Sequence, residues 1–330
     1  MDRVEIKLPF KPYKPLDVIA VGNANIDITL YVNRVPAPDE AVEASSILIS
    51  GGGAASNFAI ASSRLGCKVG FIGCVGDDDY GKLLLEEFKR EGVDVSKVMK
   101  AKDKPTGLVL IIVEPDGSRR MIAYRGANLD LNASIVDVDY LKSANILHIA
   151  SIRPEIAYDI TRKAIEAGVI ISYDPGSIAA KQGVKALKPI LERTTILFLN
   201  RRELLGLMGS SNVENTLKIV DLGVRIIALK IGEKGSILIT RDRIIHIPPY
   251  KPDKIIDTTG AGDIYAAAFI TSLIKGKDLI DSGIYASVAA GIKISKPGAR
   301  RGSPYRYEVD SKIKGIGNYL KRKVTIELIQ

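Results

Sequence analysis

The run of residues best suited to chemistry in this sequence is Asp257-Thr258-Thr259-Gly260-Ala261-Gly262-Asp263. It follows the apolar pair Ile255-Ile256 and leads into Ile264, Ala267, Ala268 and Thr271, which recur at helical spacing. Two glycines at a helix start let the backbone approach a ligand closely. The first amides of a helix have no internal partner and sit at the positive end of its dipole, which makes an anion site. Asp263 stands in that same turn. A carboxylate among phosphate-binding amides repels the phosphate, so it needs a task. The task that suits it is to accept the proton of an attacking hydroxyl, while the amides of Gly260, Ala261 and Gly262 stabilise charge on a transferred phosphoryl group. The competing reading is a plain capping acid at the start of a helix.

Other chemistries are excluded by what is missing. There is no G-x-x-x-x-G-K-[ST] segment and no histidine-arginine-aspartate loop of the protein-kinase kind. Gly51-Gly52-Gly53 lacks the dinucleotide-binding spacing. Only two histidines occur, His148 and His246, both inside apolar strands, so they read as structural and leave no multi-histidine metal site. Cys67 and Cys74 have neither a zinc nor a redox spacing and read as buried thiols of a reducing compartment. The chain of 330 residues has 47 basic and 38 acidic side chains, a net charge of +9. The basic residues are spread along it, which suits a small anionic ligand; with no helix-turn-helix or zinc spacing, no nucleic-acid partner is expected. The start, Met1 to Glu5, does not read as a signal peptide. The long uncharged stretch from Ala44 to Ser63 holds three glycines and Asn57, so it cannot be a membrane helix. A cytoplasmic protein is therefore expected. Glutamine occurs only at 182 and 330 and tryptophan is absent, a composition in keeping with a thermophile.

The elements that must position Asp263 follow from hydrophobic periodicity. Strands at 146–149, 169–173, 196–199 and 225–230 alternate with helices at 155–167, 181–192 and 213–221. This predicts a mainly parallel sheet with helices on both faces, an αβα sandwich. Strands at 236–240 and 244–247 read as a hairpin at one edge, and helices over 264–275 and 279–293 close the fold. Two regions, about 28–50 and 104–125, hold alternating strands without helices of their own. They are expected to meet as a small sheet covering a cleft; the alternative is that they extend the main sheet as edge strands. The whole of 1–330 then forms a single α/β domain with these strands as its lid.

The segment Asp257–Asp263 matches the D-T-x-G-A-G-D signature of the ribokinase-like (PfkB) carbohydrate kinase family, and other stretches resemble that family's motifs in order. They are Gly22-Asn23-Ala24-Asn25-Ile26-Asp27, Pro36 to Glu40, Gly52 to Ala59 with Asn57 four residues after Gly53, Asn200-Arg201-Arg202-Glu203, and Gly232-Glu233-Lys234-Gly235. The resemblance spans about 17–309. It implies ATP-dependent phosphotransfer to a hydroxymethyl group of a small sugar, or of a nucleoside on the same fold. A non-catalytic sugar- or nucleotide-binding protein is the alternative of another class. It implies Asp263 as general base, with Gly260, Ala261 and Gly262 as the anion hole. Asn25, Asp27, Gly53 and Asn57 would hold the acceptor, and Asn200, Lys230, Gly232 and Gly235 the nucleotide. Glu203 would act on Mg²⁺ through water, and Asp257 and Thr259 resemble ligands of a monovalent cation, K⁺, in members that use one. Two departures stand against ribose as the acceptor. The lysine that ribokinases carry within their Gly-Gly segment is absent, and Ala150 or Ser151 stands where they place a sugar-binding glutamate. Arg125 or Arg153 could add substrate contacts from the lid and cleft. Exposed edges of a lid sheet favour a homodimer through the lid strands.

Overall fold

The computed structural model describes residues 4–6 and 8–329. Its strands, in chain order, are β1 (Val18–Gly22), β2 (Asn25–Val32), β3 (Ala44–Gly52), β4 (Val69–Gly76), β5 (Val93–Ala101), β6 (Gly107–Val113), β7 (Arg119–Tyr124), β8 (Ile146–Ala150), β9 (Ile170–Asp174), β10 (Ile196–Asn200), β11 (Ile226–Lys230), β12 (Ser236–Ile239), β13 (Arg243–Ile247) and β14 (Thr325–Leu328). Ten of them form one sheet in the order β14-β13-β12-β11-β10-β9-β8-β1-β4-β5. From β11 to β5 every pairing is parallel, and β12, β13 and β14 add on antiparallel.

The strands are apolar on both sides because both faces are covered, as a parallel sheet requires. In β1, Val18 and Ala20 pack into one core with Phe58, Phe269 and Val288, whereas Ile19 and Val21 pack into the other with Ile160, Leu187 and Leu204. The first core belongs to helices Ala54–Arg64, Ala261–Ile274 and Leu279–Ile294. The second belongs to Pro154–Ala167, Gly183–Leu191 and Arg201–Met208. The result is the three-layer αβα arrangement expected from the alternation. Helix Ala261–Ile274 has no polar stripe because it is wedged against Ala54–Arg64 and Leu279–Ile294, with every residue from Ile264 to Leu273 buried.

A separate four-stranded sheet has the order β3-β2-β6-β7. β2 runs antiparallel to β3 and parallel to β6, and β6 pairs antiparallel with β7. The two strand-only segments thus meet each other and do not extend the main sheet. Where they leave it, Gly22 at the end of β1 is followed almost at once by Asn25 at the start of β2.

Several boundaries differ from the sequence reading. The helix expected over 181–192 runs Gly183–Leu191, and a separate short helix, Gly176–Ala180, precedes it. The segment 213–221 is a 3₁₀ turn, Val213–Thr216, followed by the short helix Leu217–Val220. The hairpin of β12 and β13 is not at the edge, because β14 pairs with β13 outside it. That strand follows helix Arg306–Arg322, where only Val309, Gly317 and Leu320 are buried, too sparse an apolar pattern to announce a helix.

Candidate active site

The parallel strands bring their C-terminal ends to one line. Gly22 pairs with Ala150, Ala150 with Asp174, and Asn200 with Lys230. Open α/β sheets bind ligands along such a line. Helix Ala261–Ile274 starts beside it. Gly260, at φ +76°, supplies the left-handed turn before the helix, and a Cβ there would press on Ala299 at 3.0 Å. The first helical bond runs from the Ile264 N–H to the Gly260 carbonyl at 3.0 Å, so the amides of Ala261, Gly262 and Asp263 lie ahead of it. The Ala261 N–H, expected as part of the anion hole, instead donates to the Thr258 carbonyl at 3.2 Å and closes a turn. The Gly262 and Asp263 amides are left as donors that the helix does not use.

Asp263 does not cap its helix. Its Oδ2 accepts a hydrogen bond from Asn57 Nδ2 at 2.9 Å, and the residue is partly exposed. Burial pushes its carboxyl up to about 7. The Asn57 bond and the Lys230 ammonium oppose that rise, and the Asp174 and Glu203 charges add to it. Asn57 is fixed in turn by Arg300, whose Nε donates to Asn57 Oδ1 at 3.1 Å. With the oxygen of the amide held this way, its nitrogen must face Asp263. Arg300 is fully buried. It also donates to the Gly52 carbonyl at 2.7 Å and to Ser56 Oγ at 2.5 Å, and it pairs with Glu87.

The glycine run is explained by what crosses it. A Cβ on Gly51 would collide with the Arg300 guanidinium, and one on Gly52 with the Asp27 carboxylate. Gly53, at φ +98°, is the N-cap of helix Ala54–Arg64. Asp27 is buried beside Gly52; burial pushes its carboxyl up to about 6, with Arg300 opposing. Asn25 Oδ1 accepts from Asn128 Nδ2 at 2.8 Å, and Asn128 also accepts from the Ala24 N–H at 3.0 Å.

On the other flank, Lys230 Nζ donates to Asp174 Oδ2 at 2.8 Å. A Cβ on Gly262 would meet Lys230 Nζ at 3.3 Å, which puts the ammonium next to the helix start. Burial pulls Lys230 down, but Asp174 and Glu203 outweigh it and hold the ammonium above its ordinary range. Asn200 and Glu203 form a reciprocal capping box. Asn200 Oδ1 accepts from the Glu203 N–H at 3.0 Å, and Glu203 Oε2 accepts from the Asn200 N–H at 2.8 Å. The helix start therefore uses the Asn200 side-chain oxygen and one carboxylate oxygen of Glu203. Burial, then Asp174, raises the Glu203 carboxyl. Gly232 opens the 3₁₀ turn Gly232–Lys234, and Gly235 lies at φ +91° against the Ile247 carbonyl; the backbone demands a glycine at Gly235 whatever else it does.

The small sheet reaches the signature loop through Arg119 at the start of β7. Its guanidinium donates to Thr258 Oγ1 at 2.7 Å and to Thr259 Oγ1, and it lies 3.2 Å from Asp257 Oδ1. A cleft of about 290 Å³ lies between that sheet and the loop, lined by residues including Asp27, Thr29, Ser50, Ile111, Arg119 and Thr258. Asp257 accepts from the Thr259 and Gly298 amides at 2.8 and 2.9 Å. Arg125 places its carbonyl on Asn128, and Arg153 reaches the Leu129 carbonyl at 3.5 Å. His148 is buried, stacked on Phe58 at 3.8 Å, and lowered by burial to about 3. Cys67 and Cys74 are buried free thiols.

Asp263, Asn57, Gly262 and Lys230 are thus brought together, with Asp27 and Gly52 sharing Arg300 with Asn57. Asn25 is joined to Asn128, and Gly232 and Gly235 flank the turn after β11. Sequence reasoning missed Asp174, Arg119, Asn128 and Arg300. Asp174 had one available sign, an aspartate ending an apolar strand before Pro175-Gly176; the others carried none. Among the described residues no helix is long and apolar enough to cross a membrane.

A family model described as pfkB family carbohydrate kinase matches residues 16–306. The chain is 33% identical over 285 residues to an ATP-dependent ribose-1-phosphate kinase of Halopiger xanaduensis, covering 86% of this chain and 93% of that one. It is 30% identical to a nucleoside kinase of Methanocaldococcus jannaschii, covering 87% and 93%. Among solved structures, the Arabidopsis thaliana ribokinase complexed with ribose and ATP superposes with a TM-score of 0.82 at 27% identity, covering 91% of this chain and 99% of that one.

Proposed function

The chain belongs to the pfkB family of carbohydrate kinases, and from that premise we propose that it transfers the terminal phosphoryl group of ATP to a hydroxymethyl group of a small sugar, with Asp263 as general base. The observation that carries this reading is the Asp263 carboxylate. It is held by Asn57 at the start of a helix and set beside the Gly262 backbone and the Lys230 ammonium. A base titrating near neutrality can take the hydroxyl proton and release it again. As the O–H bond breaks, the alcohol oxygen forms its bond to phosphorus and ADP leaves with the bridging oxygen. The Gly262 and Asp263 amides and Lys230 face the charge on the transferred group.

Asp27 and Asn57 are proposed to hold the acceptor from the Gly52–Gly53 side, with Gly53 giving it close access and Asn25 shaping the wall through Asn128. Asn200, Lys230, Gly232 and Gly235 are proposed to face the nucleotide. Lys230 is paired with Asp174 and also faces the charges of Glu203 and Asp263. Glu203, with Oε1 outside the capping box, would reach Mg²⁺ through water, and Mg²⁺ bound with ATP would neutralise phosphate charge. A monovalent cation fits less well. The oxygens of Asp257 and Thr259 already face two protein cations, Arg119 and Lys293. Closure of the small sheet over the cleft, latched by Arg119, would exclude water. The exposed Ile47, Ile49, Met121, Ile122 and Tyr124 of that sheet support a homodimer through it.

The likeness to kinases of ribose-1-phosphate and of nucleosides puts ribose-containing acceptors first in the test. ADP formation is measured with a panel of sugars, sugar phosphates and nucleosides in the presence of ATP and Mg²⁺. Turnover of one sugar acceptor is expected. Nucleosides as the only acceptors would move the assignment to a nucleoside kinase, and binding without ADP would make the protein a non-catalytic binding module.

A further inference from the structure

Lys293, like Arg300, is a basic residue with its side chain fully buried. It lies in the last turn of helix Leu279–Ile294, and its Nζ donates to the Asp257 carbonyl at 2.6 Å. The same Nζ is 3.7 Å from Asp257 Oδ2, the oxygen that accepts from the Gly298 amide. The turn between Lys293 and Gly302 is tightly wound: the Lys293 carbonyl accepts from the Lys296 amide at 3.0 Å and the Gly298 carbonyl from the Gly302 amide at 3.1 Å. A Cβ on Gly302 would meet the carbonyls of Lys293, Gly298 and Lys296 at 2.9, 3.1 and 3.1 Å. The Asp257 carbonyl and carboxylate are oxygens of the kind that hold a hard cation. Here an ammonium on a flexible stem is delivered to them by the fold itself. A buried charge persists only when it is paired, and Asp257 is the partner that the geometry provides.

We propose that the Lys293 ammonium is the built-in cation of the Asp257 loop, supplying the positive charge that a monovalent metal ion would otherwise bring, so that phosphotransfer needs no K⁺. The inference rests on the reading of Asp257–Asp263 as the phosphoryl-transfer loop. Asp257 begins the loop whose far end is Gly260, so a cation fixed there sets the backbone that presents the Gly262 and Asp263 amides. It also adds positive potential near the transferred group without having to be captured from solution.

The test compares KCl with tetramethylammonium chloride at equal ionic strength, using the full chain, ATP, Mg²⁺ and the acceptor found in the panel. The wild-type protein is expected to keep its rate within about twofold in the two salts, and its melting temperature is expected not to respond to K⁺. Lys293→Met should lose at least about tenfold in rate without K⁺. KCl or NH₄Cl should restore part of that loss and raise the variant's melting temperature. Strong activation of the wild type by K⁺, or Lys293→Met working at the wild-type rate without K⁺, would overturn the proposal. If Lys293→Met does not fold, the wild-type comparison decides alone. The melting measurements need no turnover, so they separate failure of this inference from failure of the kinase reading, in which Asp263→Asn would retain activity.

Discussion

Lowering the pH across the range where Asp263 titrates tests its role directly. An ordinary aspartate, with a carboxyl at 3.8, is ionised throughout pH 5 to 8; burial moves Asp263 to about 7. With that value about half of the enzyme carries the base at pH 7, about a tenth at pH 6 and about a hundredth at pH 5. kcat/KM for the acceptor, which reports the free enzyme, should therefore fall about fiftyfold from pH 7 to pH 5, with unit slope at the acid end. The Asn57 hydrogen bond and the Lys230 charge both favour the ionised form. Lys230→Met should move the acid limb to higher pH, and Asn57→Ala should do the same. Asp263→Asn should remove about two to four orders of magnitude of rate. It should also change stability in a defined window. In the wild type, folding binds the proton more tightly than the unfolded chain does between about pH 4 and pH 7, so this residue costs stability as pH rises through that window. The asparagine variant escapes the cost, and its gain in melting temperature over wild type should grow from pH 4 to pH 7 and then level off. A coupled assay of ADP formation, run with a pH-insensitive control reaction, reads the kinetic part. A rate flat from pH 8 to pH 5, or an Asp263→Asn variant that turns over normally, refutes the assignment.

Arg300→Met should destabilise the protein by about 3 kcal/mol in denaturant unfolding, because it strands Glu87 and frees the Asn57 amide; unchanged stability would remove Arg300 from this network. Arg119→Ala should leave the melting temperature near wild type, since the side chain is partly exposed, while lowering kcat/KM by about tenfold through loss of the latch between β7 and Thr258–Thr259. Unaltered kcat/KM would mean that the contact is incidental. Light scattering should give the mass of a dimer, and Ile122→Asp on the exposed face of β7 should give a monomer; a monomeric wild type would count against pairing through the small sheet.

The parts of the site that are continuous in the chain were legible in the sequence. Asp257 to Asp263 declares a helix start with free amides and an acid inside it, since a helix N-terminus is a local object whose donors, glycine conformations and dipole depend on neighbouring residues. Strand and helix alternation from 146 to 230 likewise implied the parallel sheet, because burial on both faces leaves continuous apolar runs. Two local partnerships were not legible there: Ala261 donates its amide to the Thr258 carbonyl, and Asn200 and Glu203 cap one another through their amides and side-chain oxygens.

What only the tertiary structure decided is which distant groups meet that helix start. Asn57 reaches Asp263 across 206 residues, Arg300 reaches Asn57 across 243, and Arg119 reaches Thr258 across 139. Lys293 ends the helix expected over 279–293, and Arg300 lies in the stretch after it. The last turn of helix Leu279–Ile294 carries Lys293 onto Asp257, and the turn after it folds Arg300 back onto Gly52. A side chain's charge is written in its residue type, whereas its partners and the water it loses depend on the packing of elements far apart in the chain. For that reason the acid's identity was local information, while its titration near neutrality and the cation that braces its loop were not.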